Sequence, residues 1–130
     1  MLQDTEYLKY KGNEETVDEF FHGLVFFREK KIIDALVGFS KFMGFAIDEY
    51  MSCHFAREFP DINDEEYFGE EGVVFYLDYP AVPEDVVVVL TNEEFYQVVK
   101  DCYDDYAKKH QEKQEQIASI LGELKRNLDV

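Results

Sequence analysis

The stretch PDINDEEYFGEEG, Pro60 to Gly72, concentrates the side chains most able to do chemistry in this 130-residue chain. Asp61, Asp64, Glu65, Glu66, Glu70 and Glu71 lie within it, Glu58 stands just ahead, and no lysine or arginine interrupts them. Carboxylates at this density suit four tasks: holding a metal, acid–base catalysis, receiving a basic partner, or solvating a loop. Asp61, Asn63 and Glu65 follow the alternating rhythm of a calcium loop. However, Glu66 stands where the sharp turn needs glycine, and Gly72 stands where a bidentate glutamate should close the shell. Acid–base work needs carboxylates withdrawn into a pocket, and this stretch reads as an exposed loop.

The remaining reactive side chains are no better placed. Ser40, Ser52 and Ser119 lie in no nucleophile elbow. Cys53 and His54 are neighbours on an expected strand, so they point to opposite faces. Cys102 falls on an apolar helical stripe, and both cysteines read as reduced, buried and structural. His22, His54 and His110 are scattered without the spacing of a zinc site. The seven glycines are dispersed, so nothing cradles phosphate. These residues therefore predict no enzyme, no metal and no cofactor. The one catalytic alternative would gather Glu49, His54 and Tyr76 in a pocket.

Composition narrows the remaining tasks. The net charge is −16, from 13 basic against 29 acidic residues. That balance repels phosphate backbones and anionic lipids, and it steers in basic partners. No run is long and apolar enough to cross a membrane, and the N-terminus lacks a signal-peptide pattern, so the expected compartment is the cytoplasm. The length suits one domain over residues 1–130, and 46% apolar content suffices for a single core.

The elements that must carry the acids follow from periodicity. Thr16 with Glu19 has the spacing of a capping box, with Val17, Phe20, Phe21 and Leu24 at helical spacing after it. Ile32, Ile33, Leu36, Val37 and Met43 continue a helical face, which Gly44 is expected to stop. From Phe45 to Phe55 the period becomes two, predicting one strand with Ile47, Glu49, Met51 and Cys53 on its apolar side. A carboxylate such as Glu49 there lies at the sheet's end, meets a cation from within (Arg28, Lys30 or Lys31), or awaits a partner. Val73–Leu77 and Val86–Leu90 read as an antiparallel pair joined by PAVPED, the second covered on both faces. Thr91 with Glu94 is a second capping box, followed by a stripe of Phe95, Val98, Val99, Cys102 and Tyr106. Near His110 that helix gives way to another, or runs on as one long helix, bearing Ile117, Ile120, Leu121, Leu124 and Leu128. The expected fold is α+β, a small antiparallel sheet of about three strands packed by N-terminal and C-terminal helices.

Between Phe45 and Leu90 twelve acids face only Arg57, so most of the charge is gathered in the middle of the chain. Tyrosines interleave with it. Carboxylates speed the encounter with a cationic protein, and tyrosines supply contact area at small entropic cost. The expected binding face comprises Asp48, Glu49, Tyr50, Asp61, Asp64, Glu65, Glu66, Tyr67, Glu70, Glu71, Tyr76 and Asp78.

The segments DEYMSCHF, GVVFYLDY and DVVVVLTNEEFYQVVKDCYDDYAKKH, flanking the acidic loop, resemble immunity proteins of bacterial contact-dependent growth inhibition (CDI) systems, over about Phe45 to His110. The likeness is closest to those guarding against ribonuclease toxins. It implies a non-catalytic cytoplasmic antitoxin with one tight partner, a cognate basic nuclease domain bound 1:1. The competing reading is an adaptor module docking through an exposed Leu121, Leu124, Leu128 stripe.

Overall fold

A computed structural model describes residues 7–130. Five strands form one sheet in the order β1-β5-β4-β3-β2: β1 Tyr7–Lys9, β2 Phe45–Ala46, β3 Met51–Phe55, β4 Val73–Leu77 and β5 Val86–Leu90. The helices are α1 Glu14–Phe27, α2 Ile32–Ser40, α3 Asn92–Lys109 and α4 Gln114–Leu128. The α+β class matches expectation, and the sheet is larger than expected. The two added strands are its edges. β1 pairs parallel to β5, and β2 pairs antiparallel to β3.

The β2–β3 pair corrects the single strand expected over Phe45–Phe55. Asp48 Oδ1 accepts from the Tyr50 and Met51 amides at 2.7 and 3.1 Å, turning the chain so that the Ile47 amide donates to Met51 O at 2.9 Å. An aspartate that bonds the backbone two residues on is a turn former. Glu49 therefore lies exposed in a turn, not on an apolar strand face. Of the candidate cations, Arg28 Nε donates to Ile47 O at 2.8 Å and Lys31 stands 4.0 Å from Asp34, and no ion pair to Glu49 forms among the described residues.

One sheet face carries Met51, Cys53, Phe55, Val73, Phe75, Leu77, Val88 and Leu90, all buried under the helices. Phe20 of α1 meets Phe75 edge-on with ring centroids 5.1 Å apart, and Phe95 of α3 meets Phe55 at 5.2 Å and Phe39 of α2 at 5.3 Å. Such pairs add about 0.5–1.5 kcal/mol each beyond the area they bury. The Tyr103 hydroxyl, fully buried, donates to Ile32 O at 2.7 Å and ties α3 to α2. α4 packs on α2 and α3 with Ile117, Leu121, Leu124 and Leu128 inward, so the stripe expected for an adaptor is core.

Helix boundaries follow local chemistry. The Thr91–Glu94 box forms as expected, each side chain bonding the other's amide. The Thr16–Glu19 box does not, because α1 starts earlier, after Asn13. Gly12, at φ 93°, donates to Glu14 Oε1 at 2.8 Å, and Asn13 Nδ2 donates to Lys9 O at 2.7 Å. α2 ends at Ser40, so Met43 lies outside it and exposed, and Gly44 serves another purpose. A Cβ on Gly44 would stand 1.9 Å from Cys53 O, so only glycine lets β2 enter against β3.

Candidate functional site

The acidic loop joins β3 to β4 and folds back over the sheet face opposite the helices. That face carries Tyr7, Ser52, His54, Val74, Tyr76, Val87 and Val89. Phe68 packs against Val74 and Val87, so a ring from inside the acidic run is the loop's apolar anchor and covers part of the second face of β5. The Tyr76 hydroxyl donates to Glu66, and the Tyr7 hydroxyl donates to Tyr67 O at 3.4 Å. Burial first, then the bond to Glu66, pushes the Tyr76 phenol well above its ordinary pKa. Successive turns stiffen the loop. Asp61 Oδ1 accepts from the Asn63 amide at 2.9 Å, and Asp64 Oδ1 accepts from the Glu66 amide at 2.8 Å.

With Glu66 and Phe68 turned inward, Asp61, Asp64, Glu65, Glu70 and Glu71 face solvent. Among the described residues Asp61, Glu65, Glu66, Glu70 and Glu71 form no ion pair. The nearest basic side chain in sequence, Arg57, lies over the Phe42 ring at 3.7 Å. Glu58 is structural: its Oε2 accepts from the Phe55 amide at 2.6 Å and the Gly44 amide at 3.2 Å, clamping β2 to the end of β3.

The residues expected to form one face fall into two groups. Tyr67, Tyr76 and the loop carboxylates share the outer face. Asp48, Glu49, Tyr50 and Asp78 gather at the far end of β3 and β4, where the Asp78 amide donates to Tyr50 O at 2.8 Å. Burial, and then Asp85, raise the Asp78 carboxyl above its ordinary pKa. The neighbouring Glu49 carboxylate raises the Tyr50 phenol above its ordinary pKa. Of the conceivable catalytic trio, His54 and Tyr76 are ring neighbours at 5.7 Å on the sheet face, while Glu49 is in the distant turn. The thiols are free, Cys53 buried and Cys102 half-buried rather than fully so, and burial pushes both up to about 12. In the described residues no group of three or more His, Cys, Asp or Glu could hold a metal, and no helix is long and apolar enough to cross a membrane.

A second surface lies on the helix side. A groove of about 1260 Å³ runs between α1 and α3, with Asp48, Tyr50, Pro80 and Ala81 at one rim. Phe26 and Phe27, which end α1, are 80% and 65% exposed and stand edge-on at 4.9 Å. Sequence periodicity misses them. Phe27 falls seven residues after buried Phe20 and belongs by spacing to the core stripe, but α1 overruns the core there. The signal was an apolar content, VFF after Leu24, too wide for one helical face.

The family model for CDI immunity protein, CdiI_4, matches residues 13–121. No curated protein and no solved structure matches the chain. The matched span runs from the cap of α1 into α4 and encloses the acidic loop, the turn group and every groove-lining residue but Tyr10. A protein of this kind protects by binding and neutralising a cognate toxin, and over most of its length this chain belongs to the CDI immunity protein family.

Proposed function

We propose that the chain neutralises a basic nuclease toxin domain, of the ribonuclease class, by laying its acidic, tyrosine-bearing loop against the toxin's cationic cleft. The complex is 1:1, forms in the cytoplasm and involves no catalysis by this chain. The observation that carries the reading is the exposed row Asp61, Glu65, Glu70 and Glu71, without an ion pair among the described residues, on a loop already fixed by Phe68 and Tyr76. Like charges held together in the free protein repel, and a cationic surface relieves that repulsion on binding. Pre-ordering matters equally, because a loop fixed beforehand loses little entropy in the complex. A nuclease must present cations to hold phosphate, so its cleft is the natural complement.

The test is binding of a basic nuclease domain, taken from the neighbouring gene where that gene ends in one, to the parent and to a loop variant Glu65→Lys/Glu70→Lys/Glu71→Lys. Three reversals raise the net charge by six, from −16 to −10. Asp64 is left intact because its side chain holds the Glu66 amide. The on-rate of the parent should fall steeply with salt. In the variant it should drop at least about tenfold at low salt, with the melting transition retained. An unchanged on-rate in a folded variant refutes the loop as the toxin-facing surface.

A further inference from the structure

We propose that the groove between α1 and α3 is a second toxin-binding site, one that grips a cationic segment with an apolar tip: an arginine or lysine flanked by aliphatic or aromatic side chains. The inference rests on the toxin-binding reading above and adds a site that the acidic loop does not include.

Two features of the groove point to that occupant. The first is apolar. Phe26 and Phe27 leave most of their ring surface in water beside a concavity of about 1260 Å³ floored by Phe21, Val98 and Tyr106. Adjacent large rings exposed at the mouth of a groove mark an interaction surface more often than a solvated one. The second is charge. Asp18, Glu19, Glu29, Asp48, Asp101 and Asp105 line the groove. Its only lysine or arginine is Lys109, which lies 3.4 Å from Asp105 and is thereby engaged. Glu29 lies 3.6 Å from His110 Nε2, and Asp101 accepts from Gln97. Asp18 comes from α1 and Asp48 from the β2–β3 turn, so separate elements bring acids to the groove.

A second copy of this chain is a poor occupant, because two bodies of charge −16 would meet across an acid-rimmed groove. A neutral apolar partner would bury Asp18 and Glu19, which form no ion pair among the described residues, with no cation to answer them, at high cost. A cation carried on an apolar shaft meets both demands. Its charge answers the rim, and its stem lies along the exposed rings, where an arginine also gains cation–π attraction.

The experiment measures binding of the same toxin domain to three variants. Phe26→Ala/Phe27→Ala removes the rings, Asp18→Lys/Asp101→Lys reverses the rim, and the loop variant serves as reference. Phe26→Ala/Phe27→Ala should raise Kd at least about 30-fold, mainly through a faster off-rate, while leaving the on-rate and its salt dependence unchanged. Asp18→Lys/Asp101→Lys should raise Kd as well and slow association. If the ring variant fails to fold, the rim variant alone decides. Groove variants within threefold of the parent, with the loop variant weakened, overturn the groove and leave the loop reading standing. A parent that does not bind the toxin domain at all overturns both. A parent that sediments as a dimer, with Phe26→Ala/Phe27→Ala monomeric and equally tight for toxin, assigns the groove to self-association and overturns the proposal.

Discussion

Replacing Tyr76 by phenylalanine isolates the tie between the acidic loop and the sheet. The hydroxyl that donates to Glu66 is lost, while the ring keeps its shape and its place beside His54 at 5.7 Å. A hydrogen bond to a charged acceptor contributes about 1.5–3 kcal/mol when sheltered. Tyr76 is only half-buried, and water can replace the hydroxyl at Glu66, so the expected loss is about 1 kcal/mol. It falls on local opening of the loop, which Phe68 and the backbone turns then hold alone. Amide exchange across residues 61–71 should accelerate about fivefold, the equivalent of that free energy. Amides of β4 and β5 should keep their protection, since the strand ladder is untouched. Net charge is unchanged, so the on-rate for toxin and its salt dependence should also be unchanged. Kd should weaken by about the same fivefold, because ordering of the loop is transferred to the binding step. Unchanged exchange in the loop, with unchanged Kd, refutes the view that the Tyr76–Glu66 bond pre-orders this surface.

Two further outcomes follow from the packing. Gly44→Ala should destabilise the fold by about 3 kcal/mol in chemical denaturation. The new Cβ would meet Cys53 O at 1.9 Å and Cys53 C at 2.9 Å, both backbone atoms of β3 that no rotamer change can move. A loss below about 1 kcal/mol would mean that β2 can peel away without consequence. Stability should also fall above pH 9. Unfolded thiols ionise near 9.0, whereas folded Cys53 and Cys102 stay protonated up to about 12, so the unfolded state binds fewer protons between those limits. The slope approaches about 1.4 kcal/mol per pH unit for each fully buried thiol. Between about pH 9 and 10, below the range where the raised tyrosines add their own loss, replacing both cysteines by alanine should flatten it, and an equally steep decline there would refute the assignment.

The hairpin at Asp48 explains most of the difference between periodicity and structure. Its register pairs Ile47 with Met51, Phe45 with Cys53 and Ala46 with Ser52, all even separations. Side chains therefore keep the same alternation through the turn, and a period of two cannot distinguish one long strand from this hairpin. The Asx signature of Asp48 was the available cue, and Glu49 was misplaced for want of it. The helical stripes were legible because burial of Phe20, Leu24, Phe95, Val99 and Leu124 depends on spacing alone. Capping boxes were half legible. Thr91–Glu94 had no competitor, whereas Thr16–Glu19 lost to the turn at Gly12 and Asn13, which starts the helix sooner. β1 was illegible because Tyr7, Leu8 and Tyr10 stand in a polar stretch without strand alternation, and its place is set by the edge of β5. The charge concentration of the acidic loop was visible from composition. Its anchoring was not, since contacts such as Phe68 with Val87 and Tyr76 with Glu66 depend on how the chain folds back.

The order of the sheet also bears on life at high concentration. VVVVL is the kind of segment that seeds fibrils when its backbone is open to strangers. Here it is sealed between β1 and β4, and the rim at β2 is a strand of two residues. So short a rim offers a foreign chain few donors and acceptors to zip onto. A bodyguard that must be in standing supply before any attack can therefore be stockpiled without its stickiest strand recruiting its own kind.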